Sequence, residues 1–376
     1  MNEKLFNYLI TEVLVHPYWT GLFFMGLASG TVRVVMPTLI YVSKLKKLNA
    51  PVNNRSSHRG FVPSMGGVAI FIGYFVSVNL AVMLLANRQQ FIMLVVFNIC
   101  LFLFLVMGMI DDIIGVRAWV KLRLQIVLAL AFVFLTDIRI PSFNGVLGIE
   151  TLPVWASILF SAFVMVVLIN AVNLIDGIDG LAASQVLLVS AILAGVFFQS
   201  GFVMGGLSSS IIVGTLTVFL YYNFSTKRKI FLGDAGSILL GFLLAFEIIL
   251  IFRVAAQTPL PIAGQTPRLF ALALCGYPLL DMARVFVLRL SQGQSPFRAD
   301  KQHLHHLFLR HGLSHKASTL LIFGYSLLLV LVAYVLRDLP IYWDLAVFIS
   351  AGTILMALLQ LLAKHGPLGC WFKRFR

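Results

Sequence analysis

Six aspartates, Asp111, Asp112, Asp176, Asp179, Asp234 and Asp300, carry much of the chemistry open to a chain with only 14 acidic residues in 376. They stand in four short polar strings, GMIDDIIG, NAVNLIDGIDG, FLGDAGS and ADKQHLHHLFLRHG. Carboxylates, asparagines, glycine-rich turns and clustered histidines are the groups that hold divalent cations and phosphates. Asp111 and Asp112 adjoin at the C-terminal end of an apolar stretch. There two carboxylates oppose the helix dipole and repel each other unless a cation, or the nearby Arg117, Lys121 or Arg123, offsets them. Such a pair suits magnesium, which takes one or two carboxylates together with substrate phosphates. It equally suits general-base work with a pKa displaced by the neighbouring charge, and the residues alone leave both roles open.

The second string places Asn170, Asn173, Asp176 and Asp179 within ten residues. Asn173, Asp176 and Asp179 recur every three residues, which puts them on one face if the segment is helical. Asp179 could instead simply cap a helix beginning at Gly180. In the third string, a glycine-rich opening of a helix offers free amides to phosphate oxygens, with Asp234 placed to bind a metal that bridges them; a plain helix cap is the structural alternative. The fourth lies in a loop from Ser291 to Ala317 that holds Asp300, Lys301, His303, His305, His306, Arg310 and His311. Five of the chain's 8 histidines fall between His303 and His315. On a helix, His303 and His306 would share a face and His305 would turn away. Zinc is one reading, but no cysteine is near and the spacing fits no zinc signature. Recognition of phosphate and uracil by imidazole and guanidinium donors fits better.

These strings need a scaffold, and composition sets its solvent. With 60% hydrophobic and 11% charged residues, and a mean hydropathy of +0.97, the chain has more apolar surface than a soluble core can hide. The expected architecture is all-α, a polytopic membrane helix bundle. Eleven stretches reach the roughly 20 apolar residues that a span requires, centred near residues 31, 75, 101, 129, 164, 190, 213, 245, 280, 327 and 353. The fourth is short and opens with Lys121 and Arg123, and the ninth carries Asp281 and Arg284, so the count is ten or eleven. Alternate loops hold nineteen lysines and arginines, Lys44 to Arg59, Arg117 to Arg123, Lys227 to Lys229, Arg298 to Lys316 and the C-terminal tail, against six on the other side. Retained loops are enriched in these residues on the cytoplasmic side. The N-terminus is therefore expected outside, the C-terminus in the cytoplasm, and every acidic string on the cytoplasmic face. The first span reads as a retained anchor, because Glu3, Lys4 and Glu12 do not resemble a cleaved leader.

The same bias and anionic lipid heads account for most of the net charge of +14. Nucleic-acid binding is not expected, since the basic residues are scattered over short loops without an aromatic platform. Cys100, Cys275 and Cys370 form no CxxC pair and carry no assigned chemistry. Asp281 and Glu247 lie within spans, where a carboxylate is a functional candidate by default; Arg284, three residues on, favours a structural ion pair for Asp281.

In order along the chain, RSSHRGFVPSMGG, GMIDDIIG, NAVNLIDGIDGLAA, FLGDAGS, PLLDM and SPFRADKQHLHHLFLRHG resemble the polyprenyl-phosphate N-acetylhexosamine-1-phosphate transferase family, over about residues 20 to 365. The likeness is strongest to bacterial enzymes that begin O-antigen, common-antigen or teichoic-acid assembly on undecaprenyl phosphate. It is weaker to phospho-N-acetylmuramoyl-pentapeptide transferase, whose loop carries three consecutive histidines where this chain has His303, Leu304, His305 and His306. The resemblance implies a single membrane-embedded transferase domain over residues 1–376, with residues 291–317 as a cytoplasmic substrate loop. It implies that Asp111 and Asp112 are catalytic, that Asp234 is a magnesium ligand, and that Asn173 lies beside the metal. Asp176 and Asp179 are implied in catalysis and nucleotide-sugar binding, and His303, His305, His306 and Arg310 in recognition of the nucleotide sugar. Asn54, Arg55 and His58 persist in the first cytoplasmic string, although Ala50 stands before Pro51 where family members often have aspartate.

Read this way, the expected partners are a UDP-N-acetylhexosamine and undecaprenyl phosphate, with Mg2+ or Mn2+ as cofactor, in a multi-pass inner-membrane enzyme; related enzymes suggest a homodimer. The lipid phosphate would attack the β-phosphorus of the UDP-sugar and release UMP. Two other classes share part of the pattern. A secondary transporter would hold its carboxylates near mid-bilayer on broken helices, and an aspartate-rich prenyltransferase would lack the histidine loop.

Overall fold

The computed structural model describes residues 16–46, 62–143, 145–258, 260, 267–294 and 302–365. The described residues form helices: α1 (Pro17–Leu45), α2 (Gly66–Leu85), α3 (Arg88–Ile114), α4 (Ala118–Thr136), α5 (Val154–Ile175), α6 (Leu181–Gln199), α7 (Val203–Asn223), α8 (Gly233–Ala255), α9 (Pro267–Leu274), α10 (Gly276–Ser291), α11 (Leu304–Arg310), α12 (His315–Leu336) and α13 (Ile341–His365). Among the described residues, ten of these are long and apolar enough to span a bilayer, and α9 with α10, bent by 74° at their junction, pass the same test only as a pair, which gives ten or eleven. The bend has a local cause. Pro278 lacks the N–H that would bond Leu274, and its ring would press on that carbonyl, so one helix stops at Leu274 and the next starts at Gly276. The short fourth span is a genuine helix, α4, of 19 residues.

The outer surface of the bundle fits lipid. Phe23, Val34, Met83, Ile113, Phe134 and Val335 are exposed on helix faces, an arrangement water would not tolerate over so wide an area. Exposed tryptophans and tyrosines sit at helix ends: Trp19, Trp155 and Trp343 at one end of the bundle, Tyr41, Trp119 and Tyr221 at the other. Their rings favour the headgroup level.

Helix α8 is the hub, packing on α2, α3, α5, α6, α7 and α9. Its apolar window is 78% buried, against 17% for α13 at the periphery. Small residues permit that centrality. A Cβ at Gly67 of α2 would strike Gly236, and one at Gly108 of α3 would strike Ala235. Close backbone contact of this kind is how helices associate in lipid, where burial of apolar surface gives no drive. It also sets the start of α8 directly against the end of α3, so FLGDAGS meets GMIDD. Glu247 of α8 is fully buried and receives hydrogen bonds from Ser190 of α6 at 2.6 Å and from Ser209 of α7. It is a satisfied strut between three helices.

Candidate active site

At the end of the bundle where α3, α5 and α7 finish and α4, α6 and α8 begin, oxygens from three helices converge on the ammonium of Lys121. Its Nζ lies 2.7 Å from Asp111 Oδ2, 3.1 Å from Asp234 Oδ1 and 3.4 Å from Asn173 Oδ1. Local structure explains how residue 121 returns to residue 111. Helix α3 ends at Ile114, Gly115 takes a φ of 70°, and the Val116 amide donates to Asp111 Oδ1 at 2.7 Å. Asp111 thus ties off the turn that delivers Lys121 in the first turn of α4. Asn173, near the end of α5, donates through Nδ2 to Asp234 Oδ1 at 2.6 Å and to Ser237 Oγ at 2.7 Å.

Asp112 faces another way. Its two oxygens accept from the backbone amides of Asp234 at 2.8 Å and Ala235 at 3.0 Å, the first free donors of α8. A carboxylate there complements the positive end of the helix dipole. Gly233, the first residue of α8, has a φ of 74°, and a Cβ at that position would stand 2.7 Å from Asp112 Oδ2. The FLGDAGS amides at positions 234 and 235, expected from sequence to meet phosphate, are therefore taken by Asp112. Asp112 holds Asp234 in place and is not among the oxygens that Lys121 gathers.

The second string is helical only as far as Ile175, and Asp176 is the residue that ends α5. The three-residue spacing thus stops marking a helical face beyond Asn173. Asp179 does not cap α6, whose N-cap is Gly180 with a φ of 73° and no side-chain hydrogen bond. Its carboxylate pairs instead with Lys229 at 2.6 Å and His315 at 3.2 Å, and its carbonyl accepts from Thr319 at 2.8 Å. Burial alone would raise Asp179, but His315 and Lys229 outweigh it and hold the carboxyl below the usual carboxylate range. Asp176 goes the opposite way: desolvation, then the charges of Asp234, Asp112 and Asp179, push it well above that range. Two carboxylates three residues apart are thereby shifted in opposite directions. Asn170 lies a turn deeper and braces α5 on α4, donating to Gln125 Oε1 at 2.7 Å and to the Val166 carbonyl at 2.8 Å.

The histidine segment is anchored from within the bundle. Asp281 of α10 is fully buried and accepts from Arg284 at 2.8 Å and from the Leu304 amide at 3.1 Å. It also pairs with His303 Nδ1 at 2.9 Å. The ion pair with Arg284 read from the sequence is present, and it also fixes the start of α11. His303 precedes α11 as its N-cap, so the helical spacing of the three histidines does not apply. His305 does not turn away; its ring stacks on His303 at 5.8 Å and 10° and lies 4.2 Å from His306. His305 is fully buried, and its Nε2 abuts the position where a Cβ on Gly177 would be. Neither of its ring nitrogens has a hydrogen-bond partner among the described residues. Burial, then the neighbouring His306, lowers its pKa to about 3, so the imidazole is neutral. Arg310 is exposed on the last turn of α11. Arg55, His58, Asp300 and Lys301 lie outside the described residues.

Among the described residues, no three of His, Cys, Asp and Glu are grouped tightly enough to hold a metal, which leaves the zinc reading without a ligand set. The oxygens of Asp111, Asp234 and Asn173 around one ammonium are nevertheless a hard-donor set that fits magnesium, which needs only one or two carboxylates when substrate phosphates complete its shell. In the sequence, Lys121 is one of three charges that could offset the aspartate pair, Lys229 one of three adjacent basic residues, and His315 the last of five clustered histidines. The strings KRKI and GLSHK carried no signal of a specific partner.

Residues 93–252, which span the Lys121 cluster from α3 to α8, match the model of glycosyl transferase family 4. The chain is 28% identical over 337 residues to a probable undecaprenyl-phosphate N-acetylglucosaminyl 1-phosphate transferase of Bacillus subtilis, covering 89% of this chain and 88% of that one. It is 32% identical over 322 residues to decaprenyl-phosphate N-acetylglucosaminephosphotransferase of Mycobacterium leprae, covering 80% and 79%. It is 25% identical over 279 residues to undecaprenyl-phosphate alpha-N-acetylglucosaminyl 1-phosphate transferase of Escherichia coli K12, covering 72% and 71%. With motifs, helices and relatives in agreement, the chain belongs to the membrane-embedded sugar-phosphate transferases of glycosyl transferase family 4.

Proposed function

We propose that the protein transfers N-acetylhexosamine-1-phosphate, with N-acetylglucosamine the preferred sugar, from a UDP-sugar to undecaprenyl phosphate. UMP leaves, and the product begins a lipid-linked glycan of the cell envelope. The observation that carries this reading is the convergence of Asp111, Asn173 and Asp234 on Lys121 at one end of the bundle. A phosphate whose lipid tail stays in the bilayer can meet a water-soluble nucleotide there. The basic loops of the same face favour the cytoplasmic side of the inner membrane.

An oxygen of the lipid phosphate attacks the β-phosphorus. The bond from that phosphorus to the bridging oxygen of UMP breaks, and the electron pair leaves on UMP. A phosphate is largely dianionic near pH 7, its second pKa being about 6, so direct attack needs no side-chain base. Asp112 serves by fixing Asp234 through the two amides of α8. Asp111, Asp234 and Asn173 would hold a magnesium ion, whose chemistry is to offset charge on the diphosphate. Lys121 stands in the same cluster as a fixed cation. The Asp179, Lys229 and His315 group and the neutral His305 stack face the same region, as polar contacts for the uridine and sugar phosphates. His303 positions the stack through Asp281.

A transporter would hold its carboxylates near mid-bilayer, whereas these lie at helix ends. The test is incorporation of labelled N-acetylglucosamine from its UDP form into an organic-extractable lipid by purified protein, with undecaprenyl phosphate, Mg2+ and an EDTA arm. Incorporation that needs both lipid and cation supports the proposal. None with any sugar in a panel including UDP-N-acetylmuramoyl-pentapeptide overturns it.

A further inference from the structure

At the end of the bundle remote from the carboxylates, α2, α3, α7 and α8 surround a cavity of about 240 Å³. Its lining is mainly apolar, with Val78, Leu94 and Phe246; Tyr74 and Ser208, which bond each other at 2.7 Å, also line it, and Asn87, Gln89 and Arg253 line it at the helix ends. Arg253 follows Asp234 by nineteen residues on α8, roughly 28 Å at 1.5 Å per residue. That is close to the hydrocarbon thickness of about 30 Å, so these helix ends sit at the opposite membrane interface. An arginine in the last turn of a helix is ordinarily explained by the helix dipole or by snorkelling into water. Among the described residues, the buried Nη1 of Arg253 has no hydrogen-bond partner and no carboxylate pairs with the side chain.

We propose that this cavity is a binding site for an anionic glycerophospholipid of the leaflet opposite the active site. One acyl chain lies along the apolar lining, and the headgroup phosphate accepts from Arg253. A guanidinium with a buried, unpartnered nitrogen beside an apolar slot between transmembrane helices is complementary to an anion with a hydrocarbon tail. A soluble anion would leave the apolar walls uncovered. A polyprenyl phosphate bound there would stand a membrane's thickness from Asp111 and Asp234, out of reach of the transfer. The site is therefore structural or regulatory in effect and does not depend on the proposed reaction.

The test is native mass spectrometry of the full chain in detergent, with phosphatidylglycerol, phosphatidylcholine, undecaprenyl phosphate or inorganic phosphate added separately. The expected result is selective retention of phosphatidylglycerol. Arg253→Gln should weaken that retention about tenfold, the scale of one lost charge-assisted hydrogen bond. Val82→Phe, which keeps the arginine but fills the cavity, should weaken it similarly. Arg88→Gln removes an exposed arginine at the same interface and should leave retention unchanged. Equal retention by wild type and Arg253→Gln overturns the proposal, as does equal loss in Arg88→Gln or equal binding of phosphatidylcholine. Preferential retention of undecaprenyl phosphate, or binding of free phosphate without lipid, also overturns it. Should Arg253→Gln fail to fold, Val82→Phe against Arg88→Gln decides the matter on the same readout.

Discussion

Replacement of Asp112 by asparagine separates two accounts of the adjacent aspartates. In the structure both oxygens of Asp112 accept backbone amides, from Asp234 at 2.8 Å and Ala235 at 3.0 Å. Asparagine keeps one acceptor and turns an NH2 toward the other amide. The loss comprises one charge-assisted hydrogen bond, about 1.5–3 kcal/mol, and the favourable charge at the start of α8, about 0.3–2 kcal/mol. Together these come to about 2–5 kcal/mol, directed at the turn that presents Asp234. The expected result for Asp112→Asn is a clear fall in thermal stability, measured by intrinsic fluorescence in detergent, together with a rise in the Mg2+ concentration needed for half-maximal turnover. Asp112→Glu should recover less of either than a base role would predict, because the longer side chain no longer fits against Gly233. A variant that unfolds at the wild-type temperature and whose residual turnover, though far below wild type, keeps the wild-type Mg2+ dependence would refute the positioning argument and make Asp112 a base.

Three further outcomes follow from the same geometry. Asp281→Asn leaves one oxygen for His303 Nδ1, Arg284 and the Leu304 amide and takes away the counter-charge of Arg284, a break that in buried pairs is worth about 3–5 kcal/mol. KM for the UDP-sugar should rise by tenfold or more while KM for the lipid stays within about twofold, and equal changes in both would count against Asp281 as the anchor of the histidine segment. Gly177→Ala drives a methyl into His305, an overpacking of about 1–3 kcal/mol, so turnover should drop about tenfold with the secondary structure intact by circular dichroism; wild-type turnover would show that the ring can move freely. His305 is held neutral with its pKa lowered to about 3, whereas the unfolded imidazole titrates near 6.5. The unfolded state therefore binds the extra proton first as pH falls. The stability is fully present above about pH 6.5 and is lost below it, by about 2 kcal/mol at pH 5. His305→Gln should flatten that slope in thermal melts at pH 7 and pH 5, and an unchanged slope would place the acid sensitivity elsewhere.

Much of this arrangement is legible in the sequence because a membrane imposes few choices. Long apolar runs must be helices, so the parity of the spans alone sends the strings around Asp111, Asp176, Asp234 and His303 to one end, where the structure has them. What the strings do not state is pairing across the chain. Residues 111, 121, 173 and 234 meet through the packing of Gly108 and Gly67 on α8, and no local rule links a lysine ten residues after Asp111 to Asp234. Lys229 was indistinguishable from its basic neighbours for the same reason. Helical spacing misled where a helix had not begun or had already ended, at His303 and after Ile175. The role of Asp112 was ambiguous from sequence because a carboxylate that caps a distant helix and one that binds a metal look alike until the partner amides are placed.

The identity of the nucleotide released is the most direct measure of the central claim. Purified protein given UDP-N-acetylglucosamine, undecaprenyl phosphate and Mg2+ should release UMP, one for each lipid modified, by mass spectrometry of the aqueous phase. Added UMP should drive the lipid product back to UDP-sugar, since one phosphoanhydride is broken and one is made. Release of UDP instead would mean that the bond to the sugar carbon is cleaved, and would contradict transfer of a sugar phosphate at this site.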